Sequence, residues 1–408
     1  MRFRETEWDA VRRLDRFRHT EYVFFIDTEV SSKSIGDYTM TTRRQPTLQT
    51  IADAMGVSRT TVSNAYNRPD QLTAELRERV LAVANELGYA GPNPSARSLR
   101  TGKAGAIGVL FTGSLAYSLS DPTAVAFLRG MAAASEDADL GLLLLPARSD
   151  GAFDAAAIRA AVVDGFVIYS MKKDHPALRL VLDRRLPTVM VDEPEPGADH
   201  AHIGINDRLG ARMAAQHLIE LGHREIAVLA GTLREDGYAG PVDGERRRAV
   251  SHQVVANRFA GYEDAFGAAG IDWTSTAIEE AGENTPQAAR AAADAILGRE
   301  PRPTAILTIT DQLALGVLME AGSLGIRIPD ELSVVGFDDI PRAAVAHPPL
   351  STVRQPLFEK GRVAVRLLEN AAGPLRVELP VEFISRSSTG PVASSLLANR
   401  PLKQQGHT

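Results

Sequence analysis

Between Thr47 and Asn67 the chain reads TLQTIADAMGVSRTTVSNAYN, and its apolar positions fall on two short helical faces. Leu48, Ile51, Ala52 and Met55 recur at helical spacing. Gly56 breaks that run in a tight Met55-Gly56-Val57 turn. Ser58 then stands where its hydroxyl can accept an orphan amide bond of the next helix. Val57, Val62 and Ala65 point inward, which leaves Arg59, Thr60, Ser63, Asn64 and Asn67 outside. These are short or forked hydrogen-bonding groups rather than a solvating charge coat, as reading base edges in a major groove requires. The pattern predicts a helix-turn-helix. An ordinary amphipathic hairpin shares the apolar spacing but has no need of turn, cap and outward polar set together. A third helix is predicted over Thr73–Leu87, with Thr73 as its cap, Leu76, Val80, Val83, Ala84 and Leu87 inward, and Gly88 as its stop.

Beyond Tyr89 comes a breaker-rich stretch, Ala-Gly-Pro-Asn-Pro. The segment Ser95-Ala96-Arg97-Ser98-Leu99-Arg100 follows and is too short to be a stable helix alone. From Ala104 apolar runs alternate with helical patterns. Buried strands are predicted at Ala106–Phe111, Leu140–Leu145, Gly165–Tyr169, Thr188–Val191, Glu225–Ala230, Ala305–Ile309 and Ser333–Phe337. Helices are predicted at Val125–Glu136, Leu209–Leu221, Arg258–Ala269, Pro286–Leu297 and Asp311–Leu324. Apolar strands covered by helices on both faces imply parallel α/β sheets. About seven such units in about 290 residues fit two lobes better than one. Leu233–Ser251 is polar and glycine-rich and reads as a long surface loop. The expected organisation is an extension over 1–39, an all-α helix-turn-helix head over 40–88, a hinge over 89–103, a two-lobed α/β core with parallel sheets over 104–392, and a tail over 393–408. The extension has neither periodicity nor a plausible core and is expected to be poorly ordered; the alternative is that Met40 is the true start, which intact-mass measurement of the native protein decides.

Charge sharpens this division. Residues 40–104 carry nine basic and five acidic side chains, a balance of +4, whereas the whole chain of 408 residues stands at −6 and residues 105–408 at −9. A small basic module on a large acidic one suits a polyanion-binding head whose body avoids nonspecific DNA contact. There is no cysteine, so no disulfide framework and no thiolate metal site, and a reducing cytoplasm is permitted. No apolar run approaches the ~20 residues of a membrane helix. Tyr22–Ile26 is too short for a signal-peptide core. A cytoplasmic protein without membrane attachment is expected.

Several motifs, in order, make the chain recognisable: TLQTIADAMGVSRTTVSNAYN, ARSLRTGKAGAIGVL, VDGFVIYS, HLIELGHREIAVLAG, RFAGYEDAF, IPDELSVVGFDDIP, LSTVRQPLFEKGRVAV and ISRSSTGP. Over about 40–392 the chain resembles the LacI/GalR family of bacterial transcription regulators. The resemblance implies a three-helix head that binds double-stranded operator DNA, a short hinge, and a type I periplasmic-binding-protein-like core that holds a small effector. It also implies that two subunits pair through their cores as a homodimer.

Carried over by position, Arg59 and Thr60 fall where the family's main base-reading pair lies. Arg59 can offer a fork to a guanine's O6 and N7. Asn64 stands where arginine is frequent, so the base it reads stays open, and Asn67 belongs to the same outer set. Thr47, Ser58, Thr61, Ser63 and Tyr89 read as phosphate anchors that set register, with local capping as the alternative role for each hydroxyl. In the hinge, with Ala96 within it, Leu99 matches the leucine that wedges into the central minor-groove step, and Arg100 suits the same narrow groove. The bland alternative for Leu99 is packing against its own core.

Open α/β sheets bind ligands at the carboxyl ends of their strands. Asp192, Asp338 and Thr310 follow strands there, Arg258 opens the helix after the long loop, and Tyr169 is a variable lining position. In the resemblance these five face the effector. Carboxylates accept pairs of hydroxyl hydrogens and Arg258 donates a fork, or pairs with Asp338 when the site is empty. Asp207 and Asp311 read as helix caps. Thr310 stands where asparagine is frequent, and Ser120-Asp121-Pro122-Thr123 replaces the usual asparagine-proline-aromatic signature, which weakens a plain hexose and leaves a sugar, sugar derivative or nucleoside.

Enzyme signatures are missing. Thr101-Gly102-Lys103-Ala104 lacks the upstream glycine and following hydroxyl of a phosphate loop, and no G-x-S-x-G elbow or HExxH occurs. Asp199, His200 and His202 could imitate a metal cluster but read as a solvated polar loop. No cofactor is called for. The expected function is a repressor relieved by a small inducer; a corepressor-type or activating regulator uses the same parts. A sugar-binding transport protein, or an enzyme with a DNA-binding appendage, would lack a basic head or need a catalytic constellation.

Overall fold

Local capping chemistry and buried apolar strands account for two separate bodies. The structure, a computed structural model, describes residues 46–91, 102–147, 153–195, 197, 199–370 and 375–392. The chain divides into one unit ending at Pro92 and a second beginning at Asn93.

The first unit holds helices α1 (Leu48–Met55), α2 (Arg59–Asn67) and α3 (Ala74–Glu86). Each start is fixed by a hydroxyl. Thr47 and Thr50 form a reciprocal capping box on α1, Ser58 accepts from Thr61 N at 3.0 Å, and Thr73 accepts from Leu76 N at 3.3 Å. Gly56 ends α1 in the left-handed region, with φ 65°, which costs a residue without Cβ little. Ile51, Ala52, Val62, Ala65, Val80 and Ala84 form the small core.

The second unit contains two sheets. Its elements begin with β1 (Ala106–Thr112), α4 (Leu115–Ser118), α5 (Pro122–Asp137), β2 (Gly141–Ala147), α6 (Ala155–Ala160), β3 (Gly165–Tyr169), α7 (Pro176–Asp183), β4 (Thr188–Val191) and β5 (Ala201–Ile205). These build lobe 1. Lobe 2 follows with α8 (Asp207–Glu220), β6 (Ile226–Ala230), β7 (Gly240–Pro241), α9 (Gly244–Arg248), α10 (Gln253–Ala268), β8 (Ile278–Glu280), α11 (Pro286–Leu297), β9 (Ala305–Thr308), α12 (Asp311–Ser323), β10 (Ser333–Asp338), α13 (Pro341–Val345) and β11 (Ser351–Arg354). The chain then returns to lobe 1 for α14 (Leu357–Glu369) and β12 (Arg376–Leu379), and crosses back for β13 (Glu382–Ile384).

Lobe 1 has the strand order β12-β5-β4-β3-β1-β2, parallel throughout; lobe 2 has β13-β11-β10-β9-β6-β8-β7, antiparallel only at β13 and β7. Central strands such as β4 and β6 are buried along their whole length, because helices cover both faces. The run Leu140–Leu145 departs from the expected buried strand: β2 is an edge strand whose alternate residues reach the surface, with Leu143 38% exposed. In lobe 1, α5 crosses α14 where Gly130 meets Gly361; an added Cβ on either would lie within 2.2 Å of a backbone oxygen of the other helix. The Leu233–Ser251 segment is also more structured than a bare loop, since it holds β7 and α9. Arg246 organises it, bridging Asp236 and Glu280 while lying 4.1 Å over the Tyr238 ring.

Candidate functional site

On the first unit, Arg59 and Thr60 open α2 and are exposed. The hydroxyls predicted to anchor phosphates are engaged in the fold. Thr47 and Ser58 cap helices, and Thr61 Oγ1 lies 2.8 Å from Ser58 Oγ. Ser63, Asn64 and Asn67 are half-buried rather than fully outside. The Asn67 amide donates back to Ser63 O at 2.9 Å, and the Asn64 amide donates to Gln71 Oε1 at 3.1 Å. In both asparagines, amide hydrogens are already engaged within the fold. Tyr89 packs edge-on against Tyr66 at 5.9 Å, an aromatic neighbour the spacing did not reveal. Ala96, Leu99 and Arg100 lie outside the described residues.

In the second unit a cavity of about 680 Å³ opens between the lobes at the carboxyl ends of their strands. All five residues singled out for the effector line it. Tyr169 ends β3, Asp192 follows β4 with φ 62°, and Asp338 ends β10 with φ 120°. Thr310 caps α12 and donates to Asn284 Oδ1 at 2.5 Å. Arg258 lies further inside its helix than expected, because α10 begins at Gln253. Residues that periodicity could not single out also line the cavity, among them Asp121, Thr123, His252, Asn284 and Gln355. Their signal was local at best: Asp121 caps α5 and accepts from the Thr123 hydroxyl at 2.6 Å.

The polar groups at the base of the cleft form one chain across the lobe crossing. Arg258 Nε donates to Asp207 Oδ1 at 2.8 Å, NH1 donates to the Ile309 carbonyl, and the guanidinium lies 3.6 Å over the Phe337 ring. Asp338 is 3.7 Å from Arg258 and accepts from Gln355 Nε2 at 2.7 Å. Gln355 in turn accepts from Lys360 Nζ at 2.7 Å, and Lys360 donates to Asp192 Oδ1, also at 2.7 Å. So the expected Arg258–Asp338 pairing exists, but Asp207 is the closer partner. Neither Asp207 nor Asp311 is a helix cap, contrary to expectation. Asn206 and Thr310 cap those helices, while buried Asp311 accepts from Thr352 Oγ1 and Ile340 N. The caps fell one residue earlier because an N-cap must be non-helical and both aspartates are already in the first turn.

Burial sets the electrostatics. It raises the carboxyls of Asp207 and Asp338 above the usual range, and Arg258 counteracts both. Burial by itself would lower the Arg258 guanidinium, but Asp207 and Asp338 hold it up. Among the described residues no group of histidines and carboxylates is arranged to hold a metal ion; His202 contacts the Asp192 carbonyl at 3.1 Å.

A model of bacterial regulatory proteins of the lacI family matches residues 47–93, and one of a periplasmic binding protein-like domain matches 215–389. The chain is 43% identical over 361 residues to the HTH-type transcriptional regulator Rv3575c of Mycobacterium tuberculosis, covering 86% of this chain and 99% of that one. The chain belongs to the LacI family of transcriptional regulators. Members are DNA-binding, non-enzymatic regulators. Among solved LacI-family structures, the lac repressor dimer bound to operator and the anti-inducer ONPF is similar at TM-score 0.69 and 26% identity, over 85% of this chain and 100% of that one. The regulator CelR in complex with cellobiose is similar at TM-score 0.62 and 27% identity, over 84% and 100%. In LacI-family terms, α1–α3 are the helix-turn-helix head and the two sheets the periplasmic-binding-protein-like core. No helix among the described residues is long and apolar enough to cross a membrane.

Proposed function

We propose that this protein is a homodimeric repressor whose affinity for a near-palindromic operator is lowered by a small sugar-like or nucleoside-like effector bound between the lobes. The observation that carries this reading is the cleft: carboxylates from both lobes and one buried guanidinium converge at the strand ends. Asp192 and Asp338 accept paired hydroxyl hydrogens, Arg258 donates a fork, and Tyr169, packed on Phe111 and Phe127, offers an aromatic wall. Three carboxylates stand against two cations in the buried chain, which favours neutral hydroxyl-rich ligands over phosphorylated ones. The likeness to regulators solved with cellobiose and with operator supports the same assignment.

In this reading Arg59 and Thr60 read bases, Thr47, Ser58, Thr61, Ser63 and Tyr89 set register on phosphates, and Leu99 with Arg100 occupies the minor groove between half-sites. Binding DNA puts the working protein in the cytoplasm. The effector acts only through its differential affinity for two lobe arrangements, with coupling of about 1–3 kcal/mol. The test is binding to the region upstream of its own gene, read by footprinting across salt concentrations, with and without a panel of sugars and nucleosides. A steeply salt-dependent specific footprint that one panel member weakens supports the proposal. A footprint strengthened by ligand reverses its sign, and no specific footprint rejects it.

A further inference from the structure

A second set of charges joins the lobes at the rim of the cleft, apart from the chain at its base. Glu193 belongs to lobe 1, directly after Asp192, yet it is only 2% exposed because its carboxylate crosses to lobe 2. Its Oε2 accepts from the backbone N of Gln253, the first residue of α10, at 2.6 Å. Its Oε1 lies 2.7 Å from His252 Nδ1 and accepts from Ser170 Oγ at 3.4 Å. The other ring nitrogen of His252 is 3.2 Å from Glu235 Oε1. Lys172 of lobe 1 lies 3.6 Å from that same oxygen. Helix α10 has no side-chain cap from its own lobe, so an anion of the opposite lobe takes that place.

We propose that Glu193, His252, Glu235 and Lys172 form a charge latch that holds the lobes closed over the cleft. With His252 protonated between its two carboxylates, signs alternate along the four groups, and two of the links run between lobes, Glu193 to His252 and Lys172 to Glu235. Opening the cleft returns Glu193 to water and strips α10 of its capping anion, so these contacts exist only in the closed arrangement. The latch is also wired to the ligand-facing groups. Asp192 is the neighbour of Glu193 in the chain, and His252 immediately precedes the helix that carries Arg258. Closing the rim therefore sets how far Asp192 and Arg258 stand apart. The consequence for affinity rests on the effector reading above; the latch itself does not.

The test uses the full chain, which contains no cysteine, so that one cysteine per lobe at exposed Arg179 and Glu263 takes a unique spin label. Distances are measured by pulsed electron resonance in labelled protein diluted with unlabelled protein. The unaltered latch gives one narrow, short distribution. Glu193→Gln, which keeps the side chain's shape, and Lys172→Met, at the rim, each shift it to longer and broader distances, with the closed-to-open ratio falling by about tenfold. Circular dichroism confirms that both variants are folded. Distributions unchanged in both folded variants overturn the latch. Because no effector is added, this outcome is independent of whether any sugar or nucleoside binds.

Discussion

Lys360 tests the buried chain beneath the cleft. Its ammonium is fully buried and has two partners at 2.7 Å, Asp192 and Gln355. Removing one member of such a pair leaves a desolvated charge behind, whereas removing both leaves only a packing defect. Lys360→Met therefore strands Asp192. Because that carboxylate is 11% exposed and can turn to water in the cleft, the cost falls at the low end of the usual 3–5 kcal/mol, about 3 kcal/mol. Asp192→Asn leaves the ammonium with Gln355 as its acceptor, at a similar cost of about 3 kcal/mol. In the double variant no unpaired charge remains, only the packing defect and a neutral amide that can turn to the cleft, and we expect a loss of about 3 kcal/mol, so the coupling is about 3 kcal/mol. The assay is urea unfolding of the four members of the cycle followed by circular dichroism, analysed only where the transition attributable to lobe 1 is resolved. Additive losses, with coupling near zero, would refute the reasoning, because the pair would then not be sharing one buried environment.

Other predictions follow from packing, titration and DNA contact. Gly130→Ala gains about 1 kcal/mol of helix propensity but drives its Cβ into the Phe358 carbonyl, an overpacking at the upper end of about 1–3 kcal/mol, so net destabilisation of about 2 kcal/mol is expected by thermal unfolding. Burial by itself would lower His252, but Glu193 and Glu235 push its pKa from 6.5 up to about 9. Its stabilising contribution, up to about 3 kcal/mol, is complete below pH 6.5, declines above it and is lost by about pH 9; a pH series of melting temperatures on wild type and His252→Gln should differ in slope across that window. Arg59→Lys keeps the charge but loses the guanidinium fork, so competition binding should show about 1–3 kcal/mol less discrimination at one operator position with an unchanged fold. Leu99→Ala should weaken operator affinity while leaving effector binding intact; unchanged operator affinity would reject the wedge role.

The sequence was most legible where structure is local. Thr47, Gly56, Ser58 and Thr73 each act on residues within one turn, and α1–α3 follow their signals closely. Strands β3 and β4 were readable as unbroken apolar runs because both faces are covered. Strand β8 carries no apolar-run signal because Ile278-Glu279-Glu280 ends in two acids; Glu280 is tolerated there through Arg246 and the Leu233 amide. Helix α14 is not legible in the apolar pattern because a fully buried lysine interrupts its apolar face, and the partner of that lysine, Asp192, lies 168 positions away in the chain. Glu193 and His252 are 59 positions apart, and nothing in their local contexts links them. Candidate ligand groups at strand ends could be anticipated from topology alone, but the partners that orient them, Gln355, Lys360 and Asp207, are set by tertiary packing.

The central claim is that two heads grip one duplex side by side and that occupation of the cleft governs whether they can. It is tested most directly by selecting duplexes from a random pool with the full-length protein, then repeating the binding with sugars and nucleosides added. The account predicts enrichment of a near-palindromic site bound by two chains, with affinity about 5–150-fold lower in the presence of one ligand class. Enrichment of no sequence, or binding by a single chain that every ligand leaves unchanged, would contradict it.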